Sequence, residues 1–155
     1  MADSHEVCLD ALVNIAQGLS LCVKADEIRK RRVEYKLESD GRMTIRTWEP
    51  GITFFPLQEV QSRGTISKED VGYGCGCLIC LPTDHEYGDN VGAALECRSK
   101  IRRKIIHQRL TVNLLSGAYY LTTKVEHLPI NQPRGPHVYE ASSLLIRCWI
   151  REPRG

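Results

Sequence analysis

The segment Gly72-Tyr73-Gly74-Cys75-Gly76-Cys77-Leu78-Ile79-Cys80-Leu81-Pro82 constrains the fold more than any other part of the chain. It puts three of the seven cysteines within six positions, and His85 follows five residues after Cys80. Two structures suit it, and they exclude one another. A tight loop would gather Cys77 and Cys80, spaced as a Cys-x-x-Cys pair, around a zinc ion, with His85 as third ligand and Cys75 or Cys97 as fourth. A strand from Cys75 to Leu81 would instead put Cys75, Cys77, Ile79 and Leu81 on one face and Cys80 on the other, because strand side chains alternate. Ligands on opposite faces cannot meet at one ion. The second close pair that zinc sites use is missing, and free cysteine is among the most buried residue types, so the strand is the favoured reading and zinc the alternative.

The flanking patterns supply the other elements. Cys8, Ala11, Leu12, Ile15, Leu19 and Cys22 recur at helical spacing, with Asp3 or Ser4 able to cap the start. Gly18 weakens such a helix by about 1 kcal/mol relative to alanine, so it should end or loosen there. Val33, Tyr35 and Leu37, then a turn at Ser39-Asp40-Gly41-Arg42, then Met43, Ile45 and Thr47 predict a hairpin, because Asp-Gly favours the positive φ values of tight turns. Thr53 to Val60 reads as a strand, with Pro56 confining it to an edge or a bulge. Gln61 to Gly74 is polar and glycine-bearing and reads as a loop.

After the cysteine run, Asp89 or Asn90 can cap a helix with the stripe Val91, Ala94, Leu95, Arg98, Ile101, Ile105 and Ile106, ending near His107. Leu110, Val112 and Leu114, a turn at Ser116-Gly117, and Tyr119, Leu121, Thr123 and Val125 predict a second hairpin. His127 to His137 carries Pro129, Pro133 and Pro136 and reads as a loop. Leu144, Ile146, Cys148 and Ile150 predict a last strand. A chain of 155 residues fits one domain able to bury about 68 to 70% of its unfolded surface. The order of elements predicts a single α+β domain, a mainly antiparallel sheet of five to six strands with two helices on one face.

The net charge of +2 implies no polyanion partner by itself, so charge matters here only where it clusters. Arg29, Lys30, Arg31 and Arg32 form the densest run, extended by Lys24 and Lys36. On the second helix, Lys100, Arg103, Lys104 and His107 fall together on the side away from Val91, Leu95 and Ile105, while Arg98, Arg102 and Arg109 lie near the apolar stripe. Such clusters suit nucleic acid, a ribonucleoprotein or an acidic membrane surface, and the first run also suits nuclear import. Each is equally compatible with a solvated face. Tyr119, Tyr120 and Trp149 are candidates for base stacking, but aromatic residues make up only 6% of the chain, which weakens a sequence-specific RNA reading.

Catalytic signatures are missing. A zinc deaminase needs Pro-Cys-x-x-Cys and an upstream His-x-Glu, whereas Gly76 precedes Cys77. A thiol hydrolase built from the Cys75–Cys80 segment with His107 or His137 has no supporting spacing. The acidic start Met1-Ala2-Asp3-Ser4-His5-Glu6 lacks a secretory pattern, and no apolar run reaches a membrane span, which predicts a soluble protein in the reducing cytoplasm or nucleus. In general character the chain resembles the compact accessory or matrix-type proteins of RNA viruses: small, cysteine-bearing, locally basic and without catalytic motifs. The expectation is a non-enzymatic binding or assembly protein acting on an anionic partner. A zinc-stabilised protein-interaction module is the alternative, and a thiol-dependent enzyme the third reading.

Overall fold

A computed structural model describes residues 4–21, 23–46, 49–64, 68–82, 91–107, 119–128, 130 and 139–153. Their elements are α1 (Ser4–Gln17), a short 3-10 turn (Ala25–Glu27), β1 (Ile28–Lys30), β2 (Tyr35–Leu37), β3 (Met43–Ile45), β4 (Gly51–Gly64), β5 (Lys68–Pro82), α2 (Val91–His107), β6 (Tyr119–His127) and β7 (Tyr139–Pro153). Five strands form one sheet in the order β1-β4-β5-β7-β6, and β2 and β3 form a separate pair. All neighbours in the large sheet are antiparallel except β1, which runs parallel to β4 over Ile28↔Ile52, Arg29↔Thr53 and Lys30↔Phe54. The class is α+β with a mixed, mostly antiparallel sheet.

The cysteine segment is the central strand, and it is buried on both faces. Its odd positions Val71, Tyr73, Cys75, Cys77, Ile79 and Leu81 join Ile52 and Phe54 of β4, Leu144, Ile146, Cys148 and Ile150 of β7, and residues of both helices in one core. Cys8, Leu9, Leu12 and Ala16 come from α1, and Ala94, Cys97, Ile101 and Ile105 from α2. Both helices therefore cover the same face. The other face carries Phe55, Leu78, Met43, Ile45, Leu128 and Ile130, a second core roofed by the β2–β3 pair. Ser143 is fully buried there, and its hydroxyl donates to the Leu128 carbonyl at 2.5 Å.

Glycines make the second core thin enough to close. The Phe55 ring lies against the Cα of Gly76, where an added Cβ would sit 2.6 and 2.7 Å from two ring carbons. Trp149, the register partner of Gly72, lies across that glycine in the same way, at 3.0 Å. The stretch Gln61 to Gly74, expected to be a loop, is strand over its described residues: β4 continues to Gly64 and β5 starts at Lys68. Glycine lowers strand propensity because it offers nothing to pack, but here its neighbours pack onto its bare backbone. The strand expected over Thr53 to Val60 is likewise longer, and its register shifts just after Pro56, as a residue without an amide proton requires.

The first hairpin forms with a three-residue loop. Gly41 N–H donates to Glu38 O at 3.0 Å, Glu38 N–H to Arg42 O at 2.8 Å, and Arg42 N–H to Asp40 Oδ1 at 3.0 Å. Gly41 has φ +86° and Asp40 does not share its positive φ, so the turn is a type I turn closed by a left-handed glycine, not the two-residue form that Asp-Gly most favours. Helix α1 stops at Gln17, one residue before Gly18. Helix α2 ends at His107 as expected, although its buried stripe runs through Cys97 while Leu95 is 44% exposed. The capping residues Asp89 and Asn90, the strand at Leu110 to Leu114 and most of the proline-bearing segment lie outside the described residues. His127 and Leu144 pair across β6 and β7, so His127 closes a strand and does not open a loop.

Candidate anion-binding surface

The two basic clusters differ in what surrounds them. Arg29 is held inside the structure: its Nη1 donates to Thr53 Oγ1 at 3.2 Å and its Nη2 to the Pro50 carbonyl at 2.6 Å, with Glu49 3.9 Å away. Lys30 pairs with Asp10 of α1 at 2.8 Å, and that hydrogen bond raises the ammonium above its ordinary value. Arg31 forms a two-pronged pair with Glu49, from Nη1 to both carboxylate oxygens at 2.6 and 2.7 Å. Three of the four cations in the run thus answer carboxylates or carbonyls of the same chain. Arg32 is exposed, and it stands with Arg31 where two clefts adjoin. The larger, about 320 Å³, is also lined by His5, Glu6, Leu9, Lys30 and Pro56; the smaller, about 250 Å³, by Glu34, Glu49 and Thr53.

His5 has a role no spacing announced. Its Nε2 lies 2.7 Å from the Gly74 carbonyl, and its ring rests on Tyr73 with centroids 5.2 Å apart. Opposite Gly74 the β4 ladder is broken, since Cys75 pairs with Pro56 and Tyr73 with Glu59. A carbonyl beside such a bulge needs a donor from elsewhere, and the imidazole supplies it.

Along α2, Arg98, Lys100, Arg102, Arg103 and Lys104 stand against one carboxylate, Glu96. Lys100 is engaged: its Nζ bonds the Ser20 carbonyl at 2.9 Å and Glu96 at 3.0 Å, which ties α2 to the chain leaving α1. Lys104 is half-buried, while Arg102 and Arg103 are exposed and have no ion-pair partner among the described residues. Sequence spacing put Arg102 near the apolar stripe. With Cys97 and not Leu95 in the core, the buried face turns away from it and Arg102 joins the open side.

The strand puts Cys75 and Cys77 on the helix-covered face and Cys80 on the other. Among the described residues no three His, Cys, Asp or Glu side chains converge on a point that could hold a metal ion, and His85 lies outside those residues. Burial pushes the Cys77 thiol strongly up and the Cys80 thiol up to about 12, the latter opposed by the nearby Arg29 guanidinium. The Cys75 thiol donates to the Tyr73 carbonyl at 3.9 Å, and interaction with the neighbouring Cys148 thiol together with burial raises Cys75. No protein-family model matches the sequence, and no curated protein is significantly similar to it. Among the described residues no helix is long and apolar enough to cross a membrane.

Proposed function

We propose that the protein is a non-enzymatic binding or assembly protein that engages a polyanion, nucleic acid foremost, through the outward side of α2. The observation that carries this reading is the pair Arg102 and Arg103, exposed and unpaired among the described residues on a helix with five cations and one carboxylate. Arg103 and Lys104 were expected to bind anions; Lys100 is tied down beside them, and Arg102 takes its place. Of the first run, Arg32 alone is left to extend the field, because Arg29, Lys30 and Arg31 have partners within the chain.

Cations that replace condensed counterions on a polyanion weaken binding as salt rises, with a log–log slope of about −0.7 per phosphate for single strands and about −0.9 for duplex DNA. Arg102→Gln with Arg103→Gln should therefore lower RNA or DNA affinity and flatten the slope by about 1.4 to 1.8. Arg29→Gln with Arg31→Gln should act mainly on stability. Fluorescence anisotropy with a labelled oligonucleotide across a salt series reads both. A wild-type protein with no salt-sensitive binding to RNA, DNA or acidic vesicles refutes the proposal.

A further inference from the structure

The hairpin that roofs the second core carries an open strand edge. β2 pairs with β3 on one side, and among the described residues no strand lies on its other side. Arg46 N–H donates to Glu34 O and Glu38 N–H to Arg42 O, so Glu34, Lys36 and Glu38 turn their backbone groups toward β3. Tyr35 and Leu37 turn theirs outward, and on the same alternation so does Val33. The edge is also apolar: Leu37 is 65% exposed and Tyr35 36%, although their register partners Met43 and Ile45 are buried. We propose that this edge is a self-association surface, on which β2 of a second copy of the chain pairs antiparallel about a twofold axis at Tyr35.

Charge selects both the occupant and the register. Outward groups must meet outward groups, so the open registers oppose odd-numbered residues to one another. With Lys36 on the axis, Lys36 would face Lys36 of the second copy and Glu34 would face Glu38, and like charges directly opposite repel. With Leu37 on the axis, Lys36 would face Glu38, but there the chain leaves the strand. Gly41 N–H closes the turn on Glu38 O, and Glu38 Oε1 already accepts from Thr44 Oγ1 at 2.9 Å. Registers shifted toward Val33 leave Leu37 uncovered and run into Arg31, whose N–H is bonded to Phe54 O.

With Tyr35 on the axis, Lys36 faces Glu34 of the second copy, and Glu34 faces its Lys36. Neither side chain has an ion-pair partner among the described residues. The opposite charges meet at the non-hydrogen-bonded positions, where side chains of paired strands stand closest. Leu37 lands beside Val33 and Tyr35 of the second copy, which covers the most exposed of the large apolar side chains described. The twofold axis uses both edges, so this contact closes at a dimer. Both helices cover the opposite face of the sheet, so pairing through β2 leaves α2 of each copy open, and the inference does not rest on the anion reading. An edge this short buries less than the roughly 1,200 Å² of stable interfaces, which makes the dimer reversible on dilution.

The test measures the weight-average mass of nucleic-acid-free protein by sedimentation equilibrium over a dilution series. The mass is expected to rise with concentration toward twice that of one chain. Lys36→Glu alone and Glu34→Lys alone should each remove the dimer, because each sets like charges opposite one another. An equimolar mixture of the two variants should restore it, since every reversed charge then faces its opposite. Thermal midpoints of both variants should match wild type, and a variant that had lost its fold would not regain association on mixing. A wild-type chain that stays single at every concentration, a dimer that survives both charge reversals, or a mixture no more associated than its components each overturns the proposal.

Discussion

Gly76→Ala tests the two-sided core most directly. The added Cβ would stand 2.6 and 2.7 Å from Phe55 ring carbons, whereas relaxed carbon contacts lie at about 3.5 to 4.0 Å, so ring or strand must give by about 1 Å. Phe55 is fully buried, and it is packed with Leu78, Met43, Ile45, Leu128 and Ile130. Overpacking of such a site costs about 1 to 3 kcal/mol. Alanine recovers about 0.5 to 1 kcal/mol of the glycine's backbone entropy, which leaves a net loss of roughly 0 to 2.5 kcal/mol, with a central value of about 1 kcal/mol because the 2.6 and 2.7 Å approaches put the overlap well inside contact distance. At about 2 to 4 °C per kcal/mol for a chain of this size, the central value lowers the thermal midpoint by roughly 2 to 4 °C, with the urea m-value unchanged. Phe55→Leu should destabilise by itself, yet the double variant should lose less than the sum of the two, since the shorter side chain vacates the space the methyl needs. A Gly76→Ala protein as stable as wild type, or strict additivity with Phe55→Leu, would refute the packing argument.

Gly41→Val should cost about 1 to 3 kcal/mol in chemical denaturation, because a β-branched residue is strained at φ +86° even with nothing within 4 Å of its Cβ. His5→Ala leaves the Gly74 carbonyl without its imidazole donor and should cost about 1 to 3 kcal/mol, with faster amide exchange in β5 around the bulge. The buried thiols set an alkaline limit. Burial raises Cys80 from 9.0 to about 12 and Cys77 further, so stability is intact below pH 9, where both states keep the proton, and declines from 9 toward 12 as the unfolded thiols ionise first. Urea midpoints measured across that window should fall less steeply for Cys80→Ala than for wild type, and equal slopes would contradict the assignment.

Much of the fold is legible because side-chain period is a local property. The alternation Cys75, Cys77, Ile79, Leu81 and the helical repeat in α1 each require only their own segment. Val71 and Tyr73 continue the β5 alternation two steps earlier, a signal that the intervening Gly72 and Gly74 obscure. What made those glycines strand residues was the Trp149 indole arriving from β7 onto Gly72, and the Gln58 carbonyl and Leu57 side chain of β4 closing on Gly74, both long-range facts. β1 escaped detection for a related reason. Three residues within a basic run carry no period of their own, and they become a strand because β4 offers an edge to them. The failure at Leu95 is smaller: shifting the buried stripe of α2 toward Cys97 turns the helix enough to move Arg102 into the open.

Charge was the least legible feature, and the reason bears on function. A run of four cations looks like a strong local field when read along the chain, but field depends on neighbours in space. Glu49 lies 18 positions from Arg31 and Asp10 lies 20 from Lys30, and folding brings each carboxylate within 3 Å of its cation. At such distances the pair presents a dipole to an approaching polyanion, and the dipole's field dies away well inside the roughly 8 to 10 Å over which salt lets an unpaired charge act. On α2 the arginines one turn beyond the Glu96–Lys100 pair meet no such carboxylate among the described residues, so their charge is directed outward. The sparser of the two clusters by sequence is therefore the stronger by electrostatics, which is why the salt dependence of binding should follow Arg102 and Arg103 and not the Arg29–Arg32 run.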